Sequence, residues 1–201
     1  MSELLIAYNN APNDEMHDVF EACADMAKSI CAKHNVKFES LTPPSLTEKN
    51  VCGKMEGFQM LFIASHGSDE AIFNENYDEV TSLHTTNYSF SGKGFYTISC
   101  STAKKLKPEL QRIGLKLFVG YDDNFYVTGD INPFCECALA GLDYFLSGDT
   151  LGTAREKMMD LFDKRIIEFR KSAPKTSFYL NHNKVHICFE GDSNLTYDNL
   201  K

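Results

Sequence analysis

Two residues stand where chemistry is easiest to do. His66 follows the apolar run Phe58 to Ser65 (F-Q-M-L-F-I-A-S), and Cys100 follows Gly94 to Ser99 (G-F-Y-T-I-S). Each run has the length and composition of a strand covered on both faces. If the two strands are parallel neighbours, their ends lie about 5 Å apart, and the imidazole and the thiol share one rim. A thiol beside an imidazole is the minimum equipment of a cysteine nucleophile, because the thiolate is the reactive form. The imidazole can take the thiol proton and later protonate a leaving amine. Gly67 leaves main-chain amides open beside the crevice, and with the amide of Cys100 it could hold an oxyanion. Taken singly, a histidine after a strand is usually a hydrogen-bonded loop residue and a cysteine there is usually buried and inert. Their equivalent placement on two successive strands is what raises them together.

The elements needed to position them alternate along the chain. Leu4 to Tyr8 forms a first strand. A helix capped by Asn13 or Asp14 runs to about His34, with Met16, Val19, Phe20, Cys23, Met26, Ala27, Ile30 and Cys31 on one stripe. Val36 to Leu41 is a second strand, and a short helix fills about Ser45 to Met55. The strands ending at His66 and Cys100 follow, with a small hairpin around Ala71–Phe73 and Glu79–Val80 inside an otherwise polar, irregular stretch. A helix starts near Lys107-Pro108, a strand covers Leu115 to Gly120, and a helix runs from Asn132-Pro133 to Gly148. Another is capped by Asp149 or Thr150 and stopped by Pro174. Ser177–Leu180 and Val185–Phe189 are expected as closing strands around a tight turn at His182-Asn183. This order predicts an α/β fold, a mostly parallel six-stranded sheet, doubly wound with helices on both faces, the final strands antiparallel. Ligands in such sheets bind beyond the carboxyl ends of the strands.

Composition bounds the function. The 201 residues suit one domain spanning 1–201. A net charge of −8 disfavours general binding to nucleic acid or anionic membrane, although Lys104, Lys105 and Lys107 cluster locally. No run reaches the roughly 18 apolar residues of a membrane span, and the start lacks the basic region of a secretion signal. Seven cysteines without a regular framework suggest reduced thiols in a cytoplasmic protein. No metal and no cofactor are expected: Cys135 and Cys137 diverge on a helix, and Gly92-x-Gly94 lacks the rest of a phosphate-binding loop. His182 and His186 are read as surface residues, and no role falls to His84.

The stretch Leu61-Phe62-Ile63-Ala64-Ser65-His66-Gly67-Ser68-Asp69-Glu70-Ala71-Ile72-Phe73 resembles the histidine segment of caspase-like (clan CD) cysteine peptidases, and Cys100 occupies the family's nucleophile position. Leu117–Gly120 is similar to the strand after the nucleophile. The 140–154 segment (A-G-L-D-Y-F-L-S-G-D-T-L-G-T-A) is similar to a helix pair of the bacterial CHAT branch, and Val185–Asp192 with Leu195 resembles the closing strand. The resemblance implies a His66–Cys100 dyad, an oxyanion hole from the amides of Gly67 and Cys100, and peptide-bond hydrolysis through an acyl-enzyme with no cofactor. It also implies a protein or peptide substrate, a separate activator protein, and regulated cleavage of a dedicated partner, as in bacterial defence or cell death. Caspases carry Gln, and metacaspases Asp, two residues before the nucleophile. Here Ile98 stands there, so neither substrate preference transfers. Asp122 and Asp123, past the 115–120 strand, would favour a basic residue if they face the crevice, or else cap a solvated turn. The rival to an enzyme is a catalytically silent caspase-like interaction module. A flavodoxin-like binding domain fits less well, because 9–13 (N-N-A-P-N) is a poor phosphate cradle.

Overall fold

The computed structural model describes residues 3–84 and 88–200. Strands β1 (Glu3–Tyr8), β2 (Lys37–Leu41), β3 (Met60–Ala64), β6 (Gly94–Ile98), β7 (Leu117–Tyr121) and β8 (Ile187–Gly191) form one sheet in the order β2-β1-β3-β6-β7-β8. All neighbours run parallel except β8, which is antiparallel to β7. Strands β4 (Ala71–Phe73) and β5 (Glu79–Ser82) make a separate hairpin between β3 and β6. The helices are α1 (His17–Lys33), α2 (Glu48–Met55), α3 (Leu106–Arg112), α4 (Asn132–Leu146), α5 (Leu151–Ser172) and α6 (Pro174–His186).

Strand alternation sends successive side chains to opposite faces, and two cores result. Leu4, Ile6, Phe62, Tyr96, Val119 and Tyr121 pack with α1, α4 and α5. Leu5, Ala7, Leu61, Ile63, Phe95 and Phe118 pack with α2 and α3. Burial on both faces is why these strands are almost uniformly apolar. The sheet is thus six-stranded, mostly parallel and covered on both sides, as the alternation of elements predicts.

One expected strand is a helix instead. Ser177–Leu180 is not a strand, and His182-Asn183 is not a turn: both lie in α6. Pro174 does end α5, but it also occupies the first turn of α6, where its missing N–H costs nothing. The buried residues of α6, Thr176, Ser177, Leu180 and Asn183, fall at helical spacing. Ser177 Oγ donates to the Ile166 carbonyl at 2.8 Å, tying α6 back onto α5. The local lysine cluster does not form an open basic patch either. Lys105 pairs with Asp69 and Glu70, and Lys107 with Glu190. Among the described residues, no helix is long and apolar enough to cross a membrane.

Candidate active site

β3 and β6 are hydrogen-bonded neighbours in register, with Ala64 opposite Ile98. The chain therefore leaves the sheet at the same edge into Ser65-His66-Gly67 and Ser99-Cys100. The two exits are laced together. A Cβ on Gly67 would lie 2.8 Å from the Cys100 carbonyl oxygen, 2.8 Å from Ser99 Cβ and 3.1 Å from the Cys100 nitrogen, so only glycine lets the main chains approach this closely. Further out, the Asp69 carbonyl accepts from the N–H groups of Lys105 (3.2 Å) and Leu106 (2.9 Å), where α3 begins. Ser101, next to the thiol, adopts a left-handed conformation (φ 61°) that is uncommon for a residue with a side chain. Its N–H donates to the Asp123 carbonyl at 3.0 Å, which fastens the turn to the end of β7.

His66 and Cys100 both line one cavity of about 250 Å³, together with Phe20, Ile98, Phe125 and Tyr126 among others. Ile98 thus belongs to the cavity wall. His66 Nε2 lies 2.9 Å from Asp14 Oδ2. Asp14 is itself held by Asn9 Nδ2 (2.8 Å) and accepts the Met16 N–H at 2.8 Å. A carboxylate on Nε2 orients the ring and leaves Nδ1 as the nitrogen available for proton transfer. Phe20 meets the imidazole edge-on at 5.2 Å, and Tyr77 stacks on it at 6.0 Å. A second cavity of about 510 Å³ also has His66 in its lining, together with Asp14, Glu15, Glu75, Asn76 and Tyr77 among others.

The Gly67 N–H is not used by its β-bridge to Ile72. The bonds closing that bridge run from Phe73 N to the His66 carbonyl (3.0 Å) and from Ser68 N to the Ala71 carbonyl (2.8 Å). Cys100 Sγ accepts the Phe125 N–H at 3.4 Å. Burial pushes the Cys100 thiol up from its ordinary value, and the Asp123 carboxylate pushes the same way, while the Phe125 amide opposes both. The resting thiol is therefore protonated at neutral pH and needs a base. Removing the Asp123 charge removes one of the raising causes. Asp123→Asn is expected to move the pH profile of Cys100 alkylation to lower pH; an unmoved profile would show that the Asp123 charge does not reach the thiol.

Asp122 and Asp123, which the sequence leaves open between the crevice and a solvated turn, are not among the residues lining the cavity. Asp122 Oδ1 instead takes the His186 Nδ1 of α6 at 2.7 Å. The acid charge beside His66 comes from Asp14, Glu15 and Glu75, and one Glu75 carboxylate oxygen is buried without a hydrogen-bond partner. In the sequence Asp14 offers only a helix cap. The strand-end rule that selects His66 and Cys100 also selects the loop after β1, which carries it.

No family model matches the sequence, and no curated protein does. Solved structures do match. The crystal structure of the Arg-specific cysteine proteinase gingipain R (RgpB) superimposes with a TM-score of 0.68 at 13% identity, covering 96% of this chain and 47% of that one. The complex of the Porphyromonas gingivalis RgpB pro- and mature domains gives 0.67 at 14% identity, covering 97% and 48%. This chain spans about half the length of the structures it matches. What the likeness establishes is architecture: the chain has the caspase-like α/β fold found in gingipain R.

Proposed function

We propose that this protein is a cysteine endopeptidase working through His66 and Cys100. The observation that carries the reading is that both side chains line one cavity while Asp14 holds Nε2 of His66. His66 Nδ1 takes the Cys100 proton as sulfur attacks the scissile carbonyl carbon. The N–H groups of Gly67 and Cys100 receive the oxyanion. The C–N bond then breaks, the amine leaves with the proton from His66, and water hydrolyses the thioester by the reverse use of the same imidazole. The finer parts of the proposal are the CHAT-like branch, a cytoplasmic setting, a separate activator and a dedicated protein substrate.

The test is an electrophilic peptide at neutral pH. Cys100 should be labelled far faster than Cys188, the other partly exposed thiol, and labelling should depend on His66. Equal, slow labelling of both favours the silent interaction module, which the raised thiol also suits.

Two further outcomes belong here. Asp14→Asn keeps the shape of the side chain but can present an N–H to the imidazole, so kcat is expected to fall by roughly 10²-fold or more with KM nearly unchanged. Substrate preference is proposed to come from Glu15 and Glu75 and not from Asp122 and Asp123. In a panel of peptides with Arg, Lys, Leu or Asp before the cleaved bond, Arg and Lys should lead, and Glu75→Gln should narrow that lead. Exclusive turnover of the Asp peptide would remove this assignment.

A further inference from the structure

Helix α6 carries two imidazoles one turn apart to the end of β7. His182 and His186 are four residues apart, and their rings lie 4.4 Å centroid to centroid. They meet the loop after β7, whose Asp122 N–H donates to the His186 carbonyl at 3.0 Å. One ligand atom each from Asp123, His182 and His186 lies within 4.8 Å of the other two, and all three side chains are partly exposed.

The protonation pattern suits a cation. Asp122 Oδ1 stands 2.7 Å from His186 Nδ1. A carboxylate there keeps the proton on Nδ1 and leaves the lone pair on Nε2, as carboxylate partners of metal-bound histidines do. That Nε2 faces Asp123 Oδ2 at 3.9 Å, two electron-rich atoms at a separation that a bridging ion would close. His182 donates through Nε2 to the Asn124 carbonyl at 3.2 Å, and its other nitrogen keeps a lone pair. Tetrahedral zinc, with ligands at about 2.1 Å, spaces them by roughly 3.4 Å, so half-exposed side chains need only close inward. Two imidazoles and one carboxylate suit zinc-class ions. Calcium and magnesium require shells made mostly of oxygen.

We propose that Asp123, His182 and His186 form a binding site for a divalent transition-metal ion of the zinc class, with Asp122 positioning His186 and water taking the fourth place. The site is not the Cys100 cavity, but it shares main chain with it. Asp123 accepts from Ser101 N, and Phe125 N donates to Cys100 Sγ. A bound ion would pin this loop to α6 and so fix the wall carried by Asn124, Phe125 and Tyr126. The inference stands apart from the peptidase reading.

Titration calorimetry of the metal-stripped protein with zinc chloride tests it. One equivalent should bind, and calcium or magnesium chloride should give no binding. His182→Ala and His186→Ala should each weaken zinc binding by roughly 10²-fold or more, and Asp122→Asn by about 10-fold through loss of the positioning bond. Cys100→Ala should bind zinc as the wild type does. The melting temperatures without zinc serve as the folding control, and His182→Gln and His186→Gln replace any alanine variant that does not fold. Absence of saturable binding, binding that survives loss of both imidazoles, or binding lost with Cys100→Ala would each overturn the site.

Discussion

Cys100→Ala and His66→Ala are expected to remove peptide cleavage while leaving the fold intact. The sulfur has no substitute at the cavity wall. Cys188 is the other partly exposed thiol, and it lies on β8 opposite Gly120. Loss of a nucleophile or of its base in a unit of this kind costs roughly 10⁴-fold or more in kcat, and the losses are not additive. The double variant should therefore be little worse than either single one. The measurement is release of new peptide termini by mass spectrometry from candidate partner proteins, wild type against each variant. Cleavage that persists in Cys100→Ala would dispose of the nucleophile assignment. His66 is half-buried between Phe20 and Tyr77, so thermal melts of both variants should accompany the kinetics.

The second large effect is expected at Gly67. A methyl group there would sit 2.8 Å from the Cys100 carbonyl oxygen and from Ser99 Cβ. Two of the three nearest atoms are main chain, which cannot swing aside as a flexible side chain would. Gly67→Ala must push the exits of β3 and β6 apart. Overpacking of this kind costs about 1–3 kcal/mol of stability, seen as a lowered melting temperature. Activity should fall further than stability explains, because the same displacement carries His66 and the Gly67 amide away from Cys100. A Gly67→Ala protein with normal kcat would mean that the close approach does not set the geometry of the site.

The positions of His66 and Cys100 were legible in sequence because buried parallel strands announce themselves as unbroken apolar runs, and the residues at their ends follow. The hairpin was legible at Ala71–Phe73, a short apolar run, and at Glu79–Val80, although its second strand runs on to Ser82. Helix α6 was not. It buries the polar Thr176, Ser177 and Asn183 and exposes Phe178 (66%) and Val185 (67%), so its apolar pattern points the wrong way. Only the tertiary partners of the polar groups explain the helix, and a linear pattern does not carry them. Without a helix over 174–186, nothing in the linear pattern stacks His182 and His186 one turn apart. The tie from Asp14 to His66 was hidden by distance along the chain, and the turn of Asp122 toward His186 depended on α6 being a helix.

Asn183 is fully buried, and its side-chain amide clasps both polar groups of the Tyr126 main chain, accepting from the N–H at 3.0 Å and donating to the carbonyl at 2.7 Å. The far wall of the Cys100 cavity is thus templated by a residue that the ribosome adds long after the nucleophile and its base. During synthesis, His66 and Cys100 emerge and their strands can pair while that wall still lacks its clasp. The order of translation by itself delays completion of the pocket until α6 has been made.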